Sequence, residues 1–172
     1  LITDVHLSPM VPADDIRAAV GLLAAARPDV IALGGDYVTD ADVTRAAPVA
    51  ELLAPLAAAP LGAFAVLGNH DDDRVVPAAL AARGFAVLRD QRTRLTWRGE
   101  SLDVVGLRYW TRRLPDVTRV VKGAGPTTVM LAHDPRRLRE AATLDVQLVL
   151  AGHTHGGQVV LPGVGAVAAR RF

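Results

Sequence analysis

Five histidines occur in this chain, and each lies in a short motif beside Asp, Asn or Gly. His6 belongs to Asp4-Val5-His6, His70 to Gly68-Asn69-His70-Asp71, and His133 to Ala132-His133-Asp134. His153 and His155 share Gly152-His153-Thr154-His155, and Gly35-Asp36-Tyr37-Val38-Thr39-Asp40 completes the set. Imidazole and carboxylate are the donors that borderline divalent cations prefer. Taken singly, Gly35-Asp36 and Gly68-Asn69 read as turns, since Gly, Asp and Asn dominate turns. His133 alone reads equally well as a hydrogen-bonded histidine at a strand end. The paired imidazoles of 152–157, flanked by glycines, read as ligands. Together the blocks imply a metal site.

A site drawn from such distant segments needs a scaffold that brings them to one place. The spacing predicts helices over 14–27, 42–58 (broken at Pro48 and Pro55), 75–83 and 135–142. Short continuous apolar runs at 30–33, 64–67, 128–131 and 146–150 read as buried strands. Three further strands at 85–88, 94–97 and 102–107 look antiparallel, and 159–161 reads as a last one. Residues 108–125 read as a polar connection carrying Arg108, Tyr109, Trp110, Arg112 and Arg113. That cluster suits extra phosphates or a stacked base, and its plainer reading is a solvated loop with Trp110 tucked in for packing. Helices between buried strands imply a parallel sheet, and the later strands a second sheet. Ligands in such folds bind beyond the carboxyl ends of the strands, where each motif falls.

Composition narrows the partners. A hydrophobic fraction of 51% over 172 residues suits one domain with a single core. A net charge of +1 gives no bulk attraction for nucleic acid or an anionic membrane. The absence of cysteine excludes disulfides, thiolate metal sites and a cysteine nucleophile. No apolar run reaches the roughly 18 residues of a membrane span. The chain lacks an initial Met, its first apolar run is short, and few residues follow Gln158. These features read as a fragment of a single domain, 1–172, truncated at both ends and lacking C-terminal strands that would complete the second sheet. An open edge or apolar face is expected near its C-terminus. Localisation stays open between cytoplasmic and membrane-associated or exported, with membrane association only through a missing N-terminal segment.

The order Asp-x-His, Gly-Asp-x-x-Asp, Gly-Asn-His-Asp, His, Gly-His-x-His resembles the calcineurin-like metallophosphoesterase superfamily. The block Gly152–Gln158 resembles its bacterial branch of YkuE- and YaeI-type phosphoesterases. The resemblance implies a two-sheet αββα sandwich around two divalent cations (Mn, Fe, Zn, Co or Ni, with Mn the commonest choice). It assigns Asp4, His6, Asp36 and His155 to one cation and Asp36, Asn69, His133 and His153 to the other, with Asp36 bridging. It implies hydrolysis of phosphodiesters or phosphomonoesters by in-line attack of a bridging hydroxide. His70 would protonate the leaving group, and Asp40 would orient His70 and keep it protonated. Asn69, His70 and Arg108 would contact the substrate, a phosphate-ester small molecule or lipid-linked compound. Two other readings stay open: a pyrophosphatase of the UDP-2,3-diacylglucosamine type, and a metal-binding regulatory domain without turnover. Asp71 is expected to salt-bridge to the scaffold, and Asp134 to cap the helix after it.

Overall fold

In a computed structural model of the chain, which describes residues 1–157 and 160–166, two sheets pack face to face between two layers of helices. The first sheet holds β1 (Ile31–Leu33), β2 (Ala63–Ala65) and β3 (Ala86–Val87), all parallel, in that order. The N-terminal segment runs along its edge through two isolated parallel bridges, Ile2 to Leu33 and Leu7 to Val38. Its helical cover is α1 (Ala13–Ala25), α2 (Ala46–Leu53) and α3 (Val75–Ala81). The second sheet is ordered β4 (Gln91–Trp97), β5 (Glu100–Leu107), β6 (Thr128–Ala132) and β7 (Leu148–Leu150). Here α4 (Leu114–Val121) and α5 (Leu138–Thr143) supply the cover.

The layers follow from the two-residue period of a strand. Ile31, Leu33, Ala63 and Ala65 point to one side, where they meet Ile16 and Val20 of α1, Val49 and Leu53 of α2, and Leu80 of α3. Ala32 and Phe64 point to the other side and join Val66, Leu88, Val104 and Leu131 in a cluster between the sheets. Val105, Leu107, Met130 and Ala132 face outward onto Val117 and Val121 of α4 and Ala141 of α5. Each fully buried Leu or Val contributes roughly 1.5–3 kcal/mol. The arrangement is the αββα sandwich expected from the sequence.

Three local expectations change. Residues 85–88 were expected with the antiparallel strands, but β3 joins the first sheet in parallel with β2. Only β4–β5 is antiparallel in the second sheet; β5, β6 and β7 run parallel. Within the 108–125 connection lies α4, with Pro115 in its first turn and Val117 and Val121 buried. Its Leu114, Val117, Val121 stripe at i, i+3, i+7 marks it, but Arg, Gly and Pro around it mask the period. The break expected at Pro55 is present, where α2 gives way to a 3-10 turn over Ala54–Ala58, whereas Pro48 lies inside α2 without breaking it. A final hairpin pairs β8 (Val160–Leu161) with β9 (Gly165–Ala166). Of the strand expected at 159–161, Val159 lies outside the described residues, as does Gln158. Among the described residues β7 has no partner on its outer side, and Leu148 there is exposed. Among the same residues no helix is long and apolar enough to cross a membrane.

Candidate metal centre

Every motif lies just past the carboxyl end of a strand or of the bridging N-terminal segment. Asp36 follows β1, Asn69 follows β2, His133 follows β6, and His153 and His155 follow β7. Asp4 and His6 are carried alongside, since Asp4 N–H donates to Gly35 O and His6 N–H to Asp36 O. Two donor trios result: Asp4, His6 and His155, and Asp36, His133 and His153. Within each trio the candidate ligand atoms lie within 4.8 Å of one another.

Asp36 connects the trios. Its Oδ2 lies 3.1 Å from His133 Nε2 and 3.5 Å from His6 Nε2. Its Oδ1 accepts the His70 N–H at 2.8 Å. Asp4 Oδ1 sits 3.3 Å from His155 Nε2 and 4.0 Å from His133 Nε2. Both carboxylates occupy notches that only glycine leaves open. A Cβ on Gly68 would fall 2.0 Å from Asp36 Oδ1, and one on Gly152 would fall 2.3 Å from Asp4 Oδ2.

The donor set fits cations. His133 Nδ1 donates to Gly34 O at 2.7 Å, and His6 Nδ1 to Val38 O at 3.1 Å. Such bonds fix the tautomer and leave each Nε2 lone pair as the ligand. His6 Nε2 and His155 Nε2 lie only 3.3 Å apart. His133 Nε2 contacts Asp36 without hydrogen-bond geometry and, like Asn69 Oδ1, is buried without a hydrogen-bond partner. Orphaned buried acceptors are costly, and a cation satisfies them. Burial pushes His6 and His153 below the usual imidazole pKa, which keeps them neutral. Burial opposes charge on His133 too, but the Asp36 carboxylate overrides it and lifts that histidine above the usual value. Burial likewise opposes ionisation of Asp36, yet His133 and the His70 amide hold it below the ordinary carboxylate range.

Backbone strain concentrates here. Asp4, His6, Asp36, Asp40, His153 and His155 all have positive φ, between 43° and 73°. Non-glycine residues in this region cost roughly 1–2 kcal/mol each, and such strain persists where surrounding contacts over-determine it. Asp71 is one such contact. Its Oδ2 accepts the N–H groups of Asp36 and Gly68, both at 2.8 Å, and its Oδ1 those of Tyr37 at 2.8 Å and Val38 at 3.3 Å. The expected salt bridge is thus replaced by a clamp on four backbone amides that ties the Gly-Asp loop to the Gly-Asn-His loop. Tyr37, fully buried, repeats the tie by donating to Leu33 O and Val66 O. Thr3 Oγ1 donates to Asp4 Oδ2 at 2.6 Å. Nothing in its residue type distinguished Thr3, whereas Asp71 stands beside a motif. Asp134 caps the turn after it by accepting Arg136 N–H, as expected, and also binds the Arg136 guanidinium.

The remaining expected residues divide. His70 lies beside the centre, its ring edge-on to His6 with centroids 5.0 Å apart. The Asp40 backbone N–H donates to His70 Nδ1 at 3.2 Å, while the Asp40 carboxylate is 87% exposed and 3.4 Å away. Asp40 thus meets His70 Nδ1 with both its amide and its carboxylate, a contact that fixes the orientation of the ring. Arg108 does not reach into the site as a free cation. Its guanidinium pairs with Asp73 at 3.0 Å and its N–H donates to Asp90. Its neighbour Tyr109 instead stands against His133 and His153. Trp110 is exposed rather than tucked in.

Comparison with known proteins agrees with this geometry. The calcineurin-like phosphoesterase family profile matches residues 1–157. Phosphodiesterase YaeI of Escherichia coli is 32% identical over 95% of this chain and 62% of its own length. The metallophosphoesterase YkuE of Bacillus subtilis is 27% identical over 96% of this chain and 60% of its own. The chain therefore spans about three fifths of these curated relatives. A crystal structure of a hypothetical protein from Thermus thermophilus shares the fold, with TM-score 0.59 at 21% identity over 90% of this chain and 66% of that one. With its site motifs, its sandwich and the profile match over nearly all its length, the chain belongs to the calcineurin-like phosphoesterase family, beside YaeI and YkuE.

Proposed function

We propose that the chain hydrolyses phosphoester bonds with two divalent cations. The observation that carries this reading is Asp36 Oδ2, set between His133 Nε2 of its own trio and His6 Nε2 of the other. Asp4, His6, Asp36 and His155 would hold one cation, and Asp36, Asn69, His133 and His153 the other. Bound there, the cations would supply an activated water and neutralise charge that develops on the phosphoryl oxygens. The chain's own residues do the rest. Asn69 and His70 follow β2 on a loop held by Asp71, so they meet a phosphate oxygen and the leaving oxygen without rearrangement. His70, oriented by its Nδ1 contacts with Asp40, would donate a proton as imidazolium to the departing alkoxide and be left as neutral imidazole. Water exclusion falls to the wall of Tyr109 against His133 and His153.

The test is hydrolysis of bis-p-nitrophenyl phosphate with Mn²⁺, with and without chelator, by the wild type and His70→Ala. Wild-type turnover should vanish with chelator. His70→Ala should keep its metal and lose activity by roughly 10²–10⁴-fold. A wild type with no chelator-sensitive turnover removes the enzyme reading and leaves the metal-binding regulatory one; a fully active His70→Ala removes the role given to His70.

A further inference from the structure

A second constellation borders the donor trios, and neither cation uses it. Tyr109, two residues past β5, brings its ring centroid to 5.9 Å from His133 and 5.7 Å from His153. Trp110 meets Tyr109 edge-on at 4.7 Å and leaves 64% of itself in solvent. The Arg112 guanidinium lies 4.8 Å from the centroid of Tyr109 and 5.4 Å from that of Trp110. Arg108 and Arg113 on either side pair with Asp73 and Asp116, carboxylates they share with Arg89 and Arg119, and Arg136 and Arg137 pair with Asp134 and Glu140. Among the described residues Arg112 has no such carboxylate. An exposed indole and an unneutralised guanidinium, already gathered around the ring that touches two candidate ligands, form a recognition surface rather than a packing contact.

We propose that Tyr109, Trp110 and Arg112 form a subsite for the nucleobase of a phosphate ester whose phosphate lies at the donor trios. This deepens the phosphoesterase reading and rests on it. The chemistry selects the ligand. An exposed indole face stacks on any base because every base has a π-face. A guanidinium stacks on planar rings and donates along its edge to base oxygens or a second phosphate. An acyl chain would call for aliphatic side chains here, and a bare sugar phosphate would leave the indole without a partner. Tyr109 lies between Trp110 and His153, so a group held by Trp110 stands one ring further from the trios than Tyr109 does. The sugar of a nucleotide separates base from phosphate in the same sense.

Fluorescence gives a binding readout independent of turnover. The chain has two tryptophans, so W97F leaves Trp110 as the sole reporter; Trp97 is exposed at the end of β4. The W97F protein with Mn²⁺ is titrated with thymidine 5′-monophosphate and with ribose 5-phosphate. Saturable quenching is expected with the nucleotide, and about tenfold weaker binding or none with the sugar phosphate. Adding R112A should weaken the nucleotide response by roughly tenfold. In turnover, kcat/KM for the p-nitrophenyl ester of thymidine 5′-monophosphate relative to methyl p-nitrophenyl phosphate should drop about tenfold in W110A. Equal half-saturation for both phosphates, with or without Arg112, overturns the proposal. A protein that quenches as expected but shows no chelator-sensitive hydrolysis keeps the subsite and loses the enzyme reading.

Discussion

His133 is fully buried, and its Nδ1–H is committed to Gly34 O. His155, its counterpart in the other trio, keeps 30% of its side chain in solvent, and its described polar contacts are to Asp4 and His6, themselves candidate ligands. The contrast extends through both trios. Asp36 is buried, its backbone N–H held by Asp71 and its Oδ1 by the His70 amide. Asp4 is held by Thr3 and by the His153 amide. In the inner trio the buried pair Asp36 and His133 is fixed by hydrogen bonds to the scaffold; in the outer one His6 is tied to Val38 O and Asp4 to Thr3, but His155 meets only its fellow members. Preorganised ligands lose less freedom on binding, so the inner site should bind more tightly and contribute more to the fold.

The sharpest way to break this comparison is His133→Ala against His155→Ala. His133→Ala leaves Gly34 O without its donor and opens a buried cavity. It should lower metal-free stability by roughly 2–4 kcal/mol and cut activity by about 10³-fold or more. His155→Ala should lose comparable activity but leave metal-free stability within about 0.5 kcal/mol. Denaturant titration of the metal-free proteins decides it, and equal stability losses would mean that the outer trio is as scaffold-bound as the inner.

Next in size is Asp71→Asn. The variant keeps the ligands and weakens the clamp beneath Asp36 and Gly68, so metal affinity at the inner site should fall by roughly 10–100-fold with the outer site little changed. Stepwise calorimetric titration with Mn²⁺ would show this, and an equal loss at both steps would dissolve the distinction.

The smallest effect is in pH. Asp36, held below its ordinary value of 3.8, contributes stability above that pH and loses it as pH falls through the folded value. His133, raised above 6.5, contributes stability fully present below 6.5 and lost as pH rises through its folded value. The His133 contribution in the metal-free protein is therefore largest between about pH 4 and 6.5, while His6 and His153, held below 6.5 by burial, act in the opposite sense and cost stability as pH falls below that value. Cations require neutral His133, so the Tm gain from Mn²⁺ should be larger at pH 8 than at pH 5.5. His133→Ala should flatten that difference; an equal gain at both pH values in the wild type would show that His133 does not control it.

Much of this site was legible because its donors are rare residue types placed after apolar runs, a pattern that survives without coordinates. The motifs around Asp4, Asp36, Asn69, His133 and His153 all fall where strand ends predict them. What escaped was relational. Asp71 clamps amides contributed by two loops, and backbone donors leave no trace in sequence. Arg108 lost its expected place because Asp73, 35 positions earlier, captures it. Tyr109 gained one because β5 aims it at His133. The parallel pairing of β3 was hidden for a like reason, since a two-residue strand carries too short a pattern to declare its partner.

The direct bond from His153 N–H to the Asp4 carboxylate joins groups 149 positions apart. A chain synthesised from its N-terminus displays Asp4, His6 and Asp36 long before β6 and β7 bring their partners. At about 5–20 residues per second, that interval lasts roughly 7–30 s. Any ion met on the ribosome would then be offered mostly carboxylate oxygens, and the further imidazoles would arrive only with β6 and β7. A donor set able to choose among ions would therefore be complete only once β7 has emerged.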